Sequence, residues 1–137
     1  EKERTSRDYL YGRLLAVAQK LENSVLYKKA LKDGGNPKDI KLRETNAIRY
    51  MQQFSIRPYI TWNAINSKLI PYLSEAHSLY RNLLTEITSM FNHDDFTNNR
   101  PLTGEYLLGY HCQLKALNVK EKEINSASEN SAKSENN

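Results

Sequence analysis

The sequence predicts an all-α protein, a single helical bundle of about five helices followed by a disordered C-terminal tail. Apolar residues recur at helical spacing in several segments, and no segment combines polar–apolar alternation with the β-branched residues typical of strands. Short breaks rich in Gly, Pro or Asn separate these segments, as expected for a bundle. The 137 residues suffice for one domain of ordinary size. We therefore predict a helical domain over residues 1–119 and a disordered polar tail over residues 120–137.

The first helix has the clearest pattern. Thr5 or Ser6 can cap it, and Thr5-x-x-Asp8 has the form of a capping box. One apolar stripe follows at helical spacing, formed by Leu10, Leu14, Val17, Leu21 and Val25. Gly12 lies within this helix, where glycine costs up to ~1 kcal/mol relative to alanine. Its presence there predicts close packing against a neighbouring element.

Breaks and caps divide the rest of the chain into four more helices. The run from Lys32 to Pro37, with its paired glycines, is an unambiguous interruption. After this break we expect a second helix from about Glu44 to Phe54 and a third helix that begins at Pro58. Pro71 predicts a kink or restart, and Ser74 can cap the fourth helix. A polar loop over Asn92–Pro101 then leads to the last helix, from Thr103 through Asn118. The predicted inner face of the last helix is Leu107, Tyr110, Leu114 and Leu117.

Charge is segregated along the chain. The formal net charge is +4, but residues 4–68 hold 13 Lys and Arg against 5 Asp and Glu, whereas residues 69–118 hold 3 against 5. Such segregation is expected of a protein that offers one basic face to a polyanion. Ordinary solvated helix faces are the alternative interpretation. The residues predicted to contact nucleic-acid phosphates are Arg13, Lys20, Lys28, Lys29, Lys38, Lys41, Arg43, Arg49 and Arg57.

Arg13 and Lys20 lie seven residues apart and share a face of the first helix. For Arg13 the alternative is a structural salt bridge, for example with Glu105. Among the nine tyrosines, Tyr72, Tyr106 and Tyr110 are best explained by core packing. Tyr11, Tyr27 and Tyr50 lie off the apolar stripes or near basic residues, so these three are candidate base contacts.

The residue pattern gives catalysis little to work with, and we predict that the chain is not an enzyme. It has no Gly-rich phosphate loop, no paired cysteines and no His pair at metal-binding spacing. His93-Asp94-Asp95 lacks acidic partners beside the other two histidines, so we predict no metal site and no cofactor. Cys112 is the single cysteine, and we expect a buried or half-buried thiol in a protein of the reducing cytoplasm. Mean hydropathy is −0.74 and no apolar run approaches about 18 residues, so we predict no membrane span, and we expect no membrane among the partners.

Three stretches together resemble one family. Tyr9 to Val17 reads YLYGRLLAV and resembles the YLLGRLLAV run in the C-terminal region of the large subunit of the type I-C CRISPR Cascade complex. Arg49-Tyr50, followed eight residues later by Pro58, resembles an RY…S..P segment of that region, and Leu107 to Gln113 resembles its closing ALGYYHQ segment. The order of the three motifs is preserved, and the resemblance spans residues 7–117.

The resemblance implies a specific role. In this family the C-terminal region is also made separately, by internal translation initiation, and serves as the Cascade small subunit. The resemblance implies a non-catalytic role in antiviral defence. The subunit would stabilise the guide RNA–target DNA heteroduplex and the displaced strand through sequence-independent phosphate contacts. The implied partners are the Cascade backbone and large subunits, further copies of the chain itself, guide RNA and target DNA.

Two other functions compete with this interpretation. A freestanding helical adaptor that binds only protein would use its lysines for solubility. A sequence-reading helix-turn-helix regulator needs a compact turn before its recognition helix, and the Gly-Pro loop is too long for that turn. The first alternative stays open, and binding of single-stranded DNA that weakens with salt would distinguish it from the Cascade role.

Overall fold

Helix α1 (Arg7–Lys32) forms the centre of the bundle, and the other helices pack around it. The structure, a computed structural model, describes the backbone of residues 6–135 and the side chains of residues 6–127. After α1 come α2 (Asn46–Arg49), α3 (Met51–Ile56), α4 (Pro58–Leu73), α5 (Ser78–Ser89), α6 (His93–Phe96) and α7 (Glu105–Glu135). The described residues contain no strand, which confirms the all-α prediction.

Local sequence explains both ends of α1. The Ser6 hydroxyl accepts a hydrogen bond from the Tyr9 amide, so Ser6 is the N-cap. At the other end the Gly34 amide donates to Leu31 and the Gly35 amide donates to Ala30, which is the Schellman arrangement. Gly34 has a φ of +94°, a left-handed conformation that glycine adopts without strain. The break predicted at residues 32–37 is therefore confirmed.

The first half of α1 is buried over most of its circumference. The predicted stripe from Leu10 to Val25 lies in the core, and so do Tyr11, Leu15 and Ala18, which lie off that stripe. A helix that is apolar around its whole circumference belongs in the interior of a domain. Tyr11 is the clearest correction, because it was a candidate base contact. Its ring instead packs within 5.6 Å of Phe54, Phe91 and Phe96, and its hydroxyl donates to the Phe96 carbonyl.

Helices α1 and α7 run in the same direction and approach each other closely. Contacts between them proceed in step, from Ser6–Glu105 through Arg13–Gln113 to Lys20–Glu121. A methyl group added to Gly12 would lie 1.8 Å from the Tyr106 carbonyl oxygen, and one added to Gly109 would lie 2.1 Å from the Tyr9 carbonyl oxygen. Each helix thus places a glycine against the backbone of the other. The close packing predicted for Gly12 is confirmed.

Several predicted boundaries differ from the structure. The second helix is divided into α2 and α3 at Tyr50, and the predicted loop over residues 92–101 contains the short helix α6. Helix α4 continues through Pro71, and the helix ends two residues later at Leu73, so the proline lies in its last turn. Ser74 ends α4, and the N-cap of α5 is His77, whose Nδ1 accepts from the Leu79 amide.

The last helix corrects two further predictions. Leu107 is exposed, because the buried face of α7 is formed by Gly109, Tyr110, Gln113 and Leu117. The predicted disordered tail starts too early, since α7 continues past residue 120. Glu121 pairs with Lys20 at 3.1 Å and accepts a hydrogen bond from the Tyr80 hydroxyl at 2.5 Å. Residues 128–137 of that predicted tail lie outside the described side chains.

Arg7 fastens the long connection before α7 to the start of α1. Its guanidinium is buried and donates to the carbonyls of Asp95, Asn98 and Arg100 at 2.8–3.2 Å. Thr5, the other member of the predicted capping box, lies outside the described residues, and Asp8 accepts from the Thr103 amide and hydroxyl, each at 2.8 Å. This network fixes the point at which α7 begins. None of the helices in the described part of the chain combines the length and apolar content needed to span a membrane.

We expect Gly12→Ala to destabilise the fold, although intrinsic helix propensity alone would favour alanine. The new methyl group would overlap the Tyr106 carbonyl and force the helices apart, at a cost of about 1–3 kcal/mol in the free energy of unfolding. Urea denaturation followed by circular dichroism would measure the change.

Gly104→Ala is the matched control for this substitution. A methyl group there meets no atom within 4 Å, so we expect a change of less than about 0.5 kcal/mol. A Gly12→Ala variant as stable as the Gly104→Ala variant would contradict the close packing of α1 on α7.

Candidate nucleic-acid interface

Four of the nine predicted phosphate contacts lie together at one end of α1. Lys28 and Lys29 occupy its last turns, while Lys38 and Lys41 lie in the connection that leaves it. We call these four residues and Lys32 the lysine cluster. All five side chains are exposed, and none forms an ion pair with another described side chain. Only Asp33 and Asp39 are acidic within residues 28–41, so this segment carries an uncompensated positive charge.

The connection after α1 folds back against the helix end. The Gly35 amide donates to the Ala30 carbonyl at 2.9 Å, and the position of a Gly35 Cβ would lie 3.2 Å from the Ile40 side chain. The Asn36 side chain accepts from the Lys38 amide and the Asn36 carbonyl accepts from the Asp39 amide, which forms a tight turn. Lys38 and Lys41 are therefore held near the end of the helix that carries Lys28 and Lys29.

A buried carboxylate fixes the far end of the same connection. Glu22 lies on α1 with a fully buried side chain, and its Oε1 accepts from the Asn46 amide at 3.1 Å and from the Asn46 side chain at 2.9 Å. The other carboxylate oxygen lies 2.9 Å from the Arg43 guanidinium and accepts no well-directed hydrogen bond. Arg43 also donates to the Tyr72 hydroxyl. A buried charge requires a partner, and Arg43 supplies it.

Arg13 and Lys20 share a face of α1, as predicted, but that face is turned toward α7. Arg13 donates from Nε to the Gln113 side chain at 2.7 Å, and Lys20 contacts Asn118 at 2.5 Å and Glu121 at 3.1 Å. Both cations are already engaged in the packing of α1 on α7. Gln113 is a buried polar residue that the apolar pattern of α7 could not reveal.

The last two predicted contacts lie outside the lysine cluster. Arg49 ends α2 and Arg57 lies between α3 and α4, and both side chains are exposed. The structure therefore divides the nine residues into three groups. Lys28, Lys29, Lys38 and Lys41 form one exposed cluster, Arg49 and Arg57 are exposed elsewhere, and Arg13, Lys20 and Arg43 are engaged with residues of the same chain.

An open groove lies beside the lysine cluster. Its walls are the last three turns of α1, the connection at Leu42, the start of α5 at His77, and α7 near Ile124. Its volume is about 520 Å³, and its lining combines Lys28 with the partly exposed side chains of Tyr27, Leu31 and Leu42. Sequence reasoning selected Tyr27 and Lys28 but did not predict the apolar groove between them.

The floor of this groove is held by Tyr80. Burial, followed by its hydrogen bond to Glu121, raises the pKa of the Tyr80 phenol. The phenol therefore keeps its proton at neutral pH and donates a hydrogen bond to Glu121 at 2.5 Å. Glu121 also pairs with Lys20, so both of its carboxylate oxygens have partners within the chain.

The single cysteine and the His93-Asp94-Asp95 run are the other residues whose chemistry the sequence raised. Cys112 is exposed on α7, which corrects the prediction of a buried or half-buried thiol. His93, Asp94 and Asp95 form the first turn of α6, which the Asn92 side chain caps. Among the described side chains, no group of three His, Cys, Asp or Glu residues is placed to hold a metal ion. The cytoplasmic location inferred from the single cysteine stays a prediction.

Comparison with known proteins identifies one family. The model of a family described as "CRISPR-associated protein (Cas_Csd1)" matches residues 1–118. This match includes all of the predicted phosphate contacts and most of the described helical bundle. No curated protein matches the chain.

We expect Arg43→Ala to lower the free energy of unfolding by about 1–3 kcal/mol, because it leaves a buried carboxylate without its cation. The Arg43 side chain is 43% exposed, so water can replace part of what the guanidinium supplies. Thermal and urea denaturation would measure the loss.

Two further variants make this test specific. Lys41→Ala removes an exposed cation from the same connection, and we expect a change of less than about 0.5 kcal/mol. Glu22→Gln in the Arg43→Ala background should recover part of the loss, because a neutral amide is less costly to bury than a carboxylate. Additive effects of Glu22→Gln and Arg43→Ala would contradict the pairing.

Proposed function

We propose that the chain, which belongs to the Cas_Csd1 family of CRISPR-associated proteins, is a non-catalytic small subunit of a type I-C Cascade complex. In this role it contacts the backbones of the guide–target heteroduplex and of the displaced strand without reading their sequence. The observation that carries the proposal is the lysine cluster, an exposed group of cations without acidic partners among the described side chains.

The chemistry of the cluster suits phosphate contacts. Surface cations that are already paired gain little from a phosphate, since one partner replaces another. When unpaired lysines bind phosphates, the counterions condensed on the nucleic acid are released, and this release favours association at moderate ionic strength. The cations of α1 divide in this way, because Arg7, Arg13 and Lys20 hydrogen-bond to other residues of the chain, whereas Lys28 and Lys29 form no ion pair with a described side chain.

Lysine is also the appropriate cation for contacts that ignore sequence. Its ammonium group is a compact charge on a flexible stem, whereas arginine presents a rigid fork that can read guanine. All five members of the cluster are lysines, and Lys32 and Lys38 flank the turn that contains Gly34 and Gly35. In an RNA-guided complex base pairing supplies the sequence specificity, so a subunit of this kind needs only backbone electrostatics.

The proposed partners require protein surfaces as well. Ile56, Ile60 and Ile70 are each more than half exposed along α3 and α4, and Val119 is similarly exposed on α7. Exposed aliphatic side chains of this kind suit contacts with backbone and large subunits or with another copy of the chain. The same surfaces support the alternative, a helical adaptor that binds only protein and has no nucleic-acid role.

Charge reversal of Lys28, Lys29 and Lys41 together tests the proposed function. We expect this triple variant to bind target DNA weakly when assembled, and to lower the magnitude of the log–log salt slope by about two to three, since each lost phosphate contact contributes about 0.7–0.9. Folding and guide binding should be unchanged. The measurements are fluorescence anisotropy at several salt concentrations, for the purified chain with single-stranded DNA and for the assembled complex with target DNA.

Charge reversal of Lys115, Lys120 and Lys122 is the matched control. These exposed lysines lie on α7, and reversing them changes the net charge by the same amount. We expect this control to bind nearly as the unmodified chain does. Unchanged affinity and salt slope in the Lys28, Lys29 and Lys41 variant would favour the protein-only adaptor instead.

A further inference from the structure

We infer that the groove beside the lysine cluster receives one unstacked base of a single-stranded nucleic acid, which stacks on the ring of Tyr27. The phosphates that flank this base would lie against Lys28 and Lys29. This inference rests on the proposed function and adds to it a preference for single strands over duplexes.

Tyr27 is placed differently from the other tyrosines. Tyr27 is 38% exposed, whereas Tyr11, Tyr80 and Tyr110 are each at most 6% exposed. The remaining tyrosines are partly buried. Tyr27 is not needed to fill the core, which ends at Val25 on α1. An exposed ring in a groove offers a flat surface for a base, and every base has a face that can stack on it.

The surroundings of Tyr27 supply the rest of a base site. Leu31 lies one helical turn beyond it and Leu42 faces it across the groove, each 37% exposed. These side chains give the groove apolar walls, and the volume of about 520 Å³ lies within the range of small-ligand sites. His77 and Asn125 add polar groups at the margin, where the edge of a base would lie.

The charge around the groove favours a polyanion over an apolar peptide. Lys28 lines the groove, and Lys29 and Lys32 follow it on the same helix end. The acidic side chain in the lining, Glu121, forms an ion pair with Lys20 at 3.1 Å and accepts a hydrogen bond from the Tyr80 hydroxyl at 2.5 Å. Apolar walls beside lysines without acidic partners suit a base and its phosphates together, whereas an apolar peptide side chain would contact only the walls.

A duplex cannot fill such a groove, because its bases are already stacked and paired with one another. It would reach the lysine rim with its phosphates and leave the Tyr27 ring unused. The rim would then provide affinity for any nucleic acid, and the groove would provide the additional affinity for single strands. Since stacking tolerates any base, the preference would be for strandedness and not for sequence.

The test compares three probes of equal length on the full chain by fluorescence anisotropy: an oligothymidine strand, the same strand with an abasic segment at its centre, and a duplex. We expect the intact strand to bind about 5- to 150-fold more tightly than the abasic one, the range that corresponds to stacking of one base. Tyr27→Ala should abolish this difference without changing duplex affinity or the salt slope. Tyr27→Phe should retain it, and Leu108→Ala, which removes an exposed apolar side chain of α7 elsewhere, should leave it unchanged.

The outcomes separate this inference from the proposed function. If Tyr27→Ala leaves all three affinities unchanged while charge reversal of the lysine cluster weakens them, the base site is refuted and the phosphate-binding role stands. If neither variant changes binding, both proposals fail. If Tyr27→Ala weakens the intact strand, the abasic strand and the duplex equally, the ring acts through the fold and the base site is again refuted.

Discussion

The close approach of α1 and α7 is the constraint on which the rest of the structure depends. Gly12 and Gly109 each face the backbone of the opposite helix at a distance that leaves no room for a methyl group. This contact sets the rotation of α7, so that Tyr110, Gln113 and Leu117 turn inward and Leu107 turns outward. The same rotation brings Gln113 to Arg13 and Glu121 to Lys20. Two residues without side chains therefore decide which polar groups of two long helices meet.

That packing also divides the basic residues of α1 into two kinds. Along the first four turns the helix is enclosed, and its cations have partners on α7 or in the connection before it. Near residue 25 the enclosed region ends, and the last turns extend beyond the core with Lys28, Lys29 and Lys32 exposed. Burial of a cation requires a partner, whereas an exposed cation can stay unpaired in water. The position of a lysine along this helix thus determines whether its charge is available to a ligand.

The Glu22–Arg43–Asn46 contact connects stability to the proposed binding surface. It ties the start of α2 to the middle of α1, so the connection between them must run back past the end of α1. The same path places Leu42 opposite Tyr27 and Leu31 in the groove. Arg43, which charge segregation predicted to bind phosphate, therefore fixes the connection that carries Lys38 and Lys41. Because only the Glu22 side of the pair is fully buried, Arg43 holds the connection to α1 while part of its guanidinium stays in water.

Local sequence specifies the helical class, the buried stripe of α1, an N-cap at Thr5 or Ser6, the glycine stop, and the concentration of positive charge in the first half of the chain. These features are local, because periodicity, capping and turn chemistry depend on residues a few positions apart. Only the tertiary structure decided which cations are engaged, that Tyr11 lies in the core, and that α7 continues past residue 120 to meet Lys20 and Tyr80. The partners of Arg13 and Lys20 lie about 100 residues away in the chain, and no local pattern specifies how two distant helices are rotated against each other.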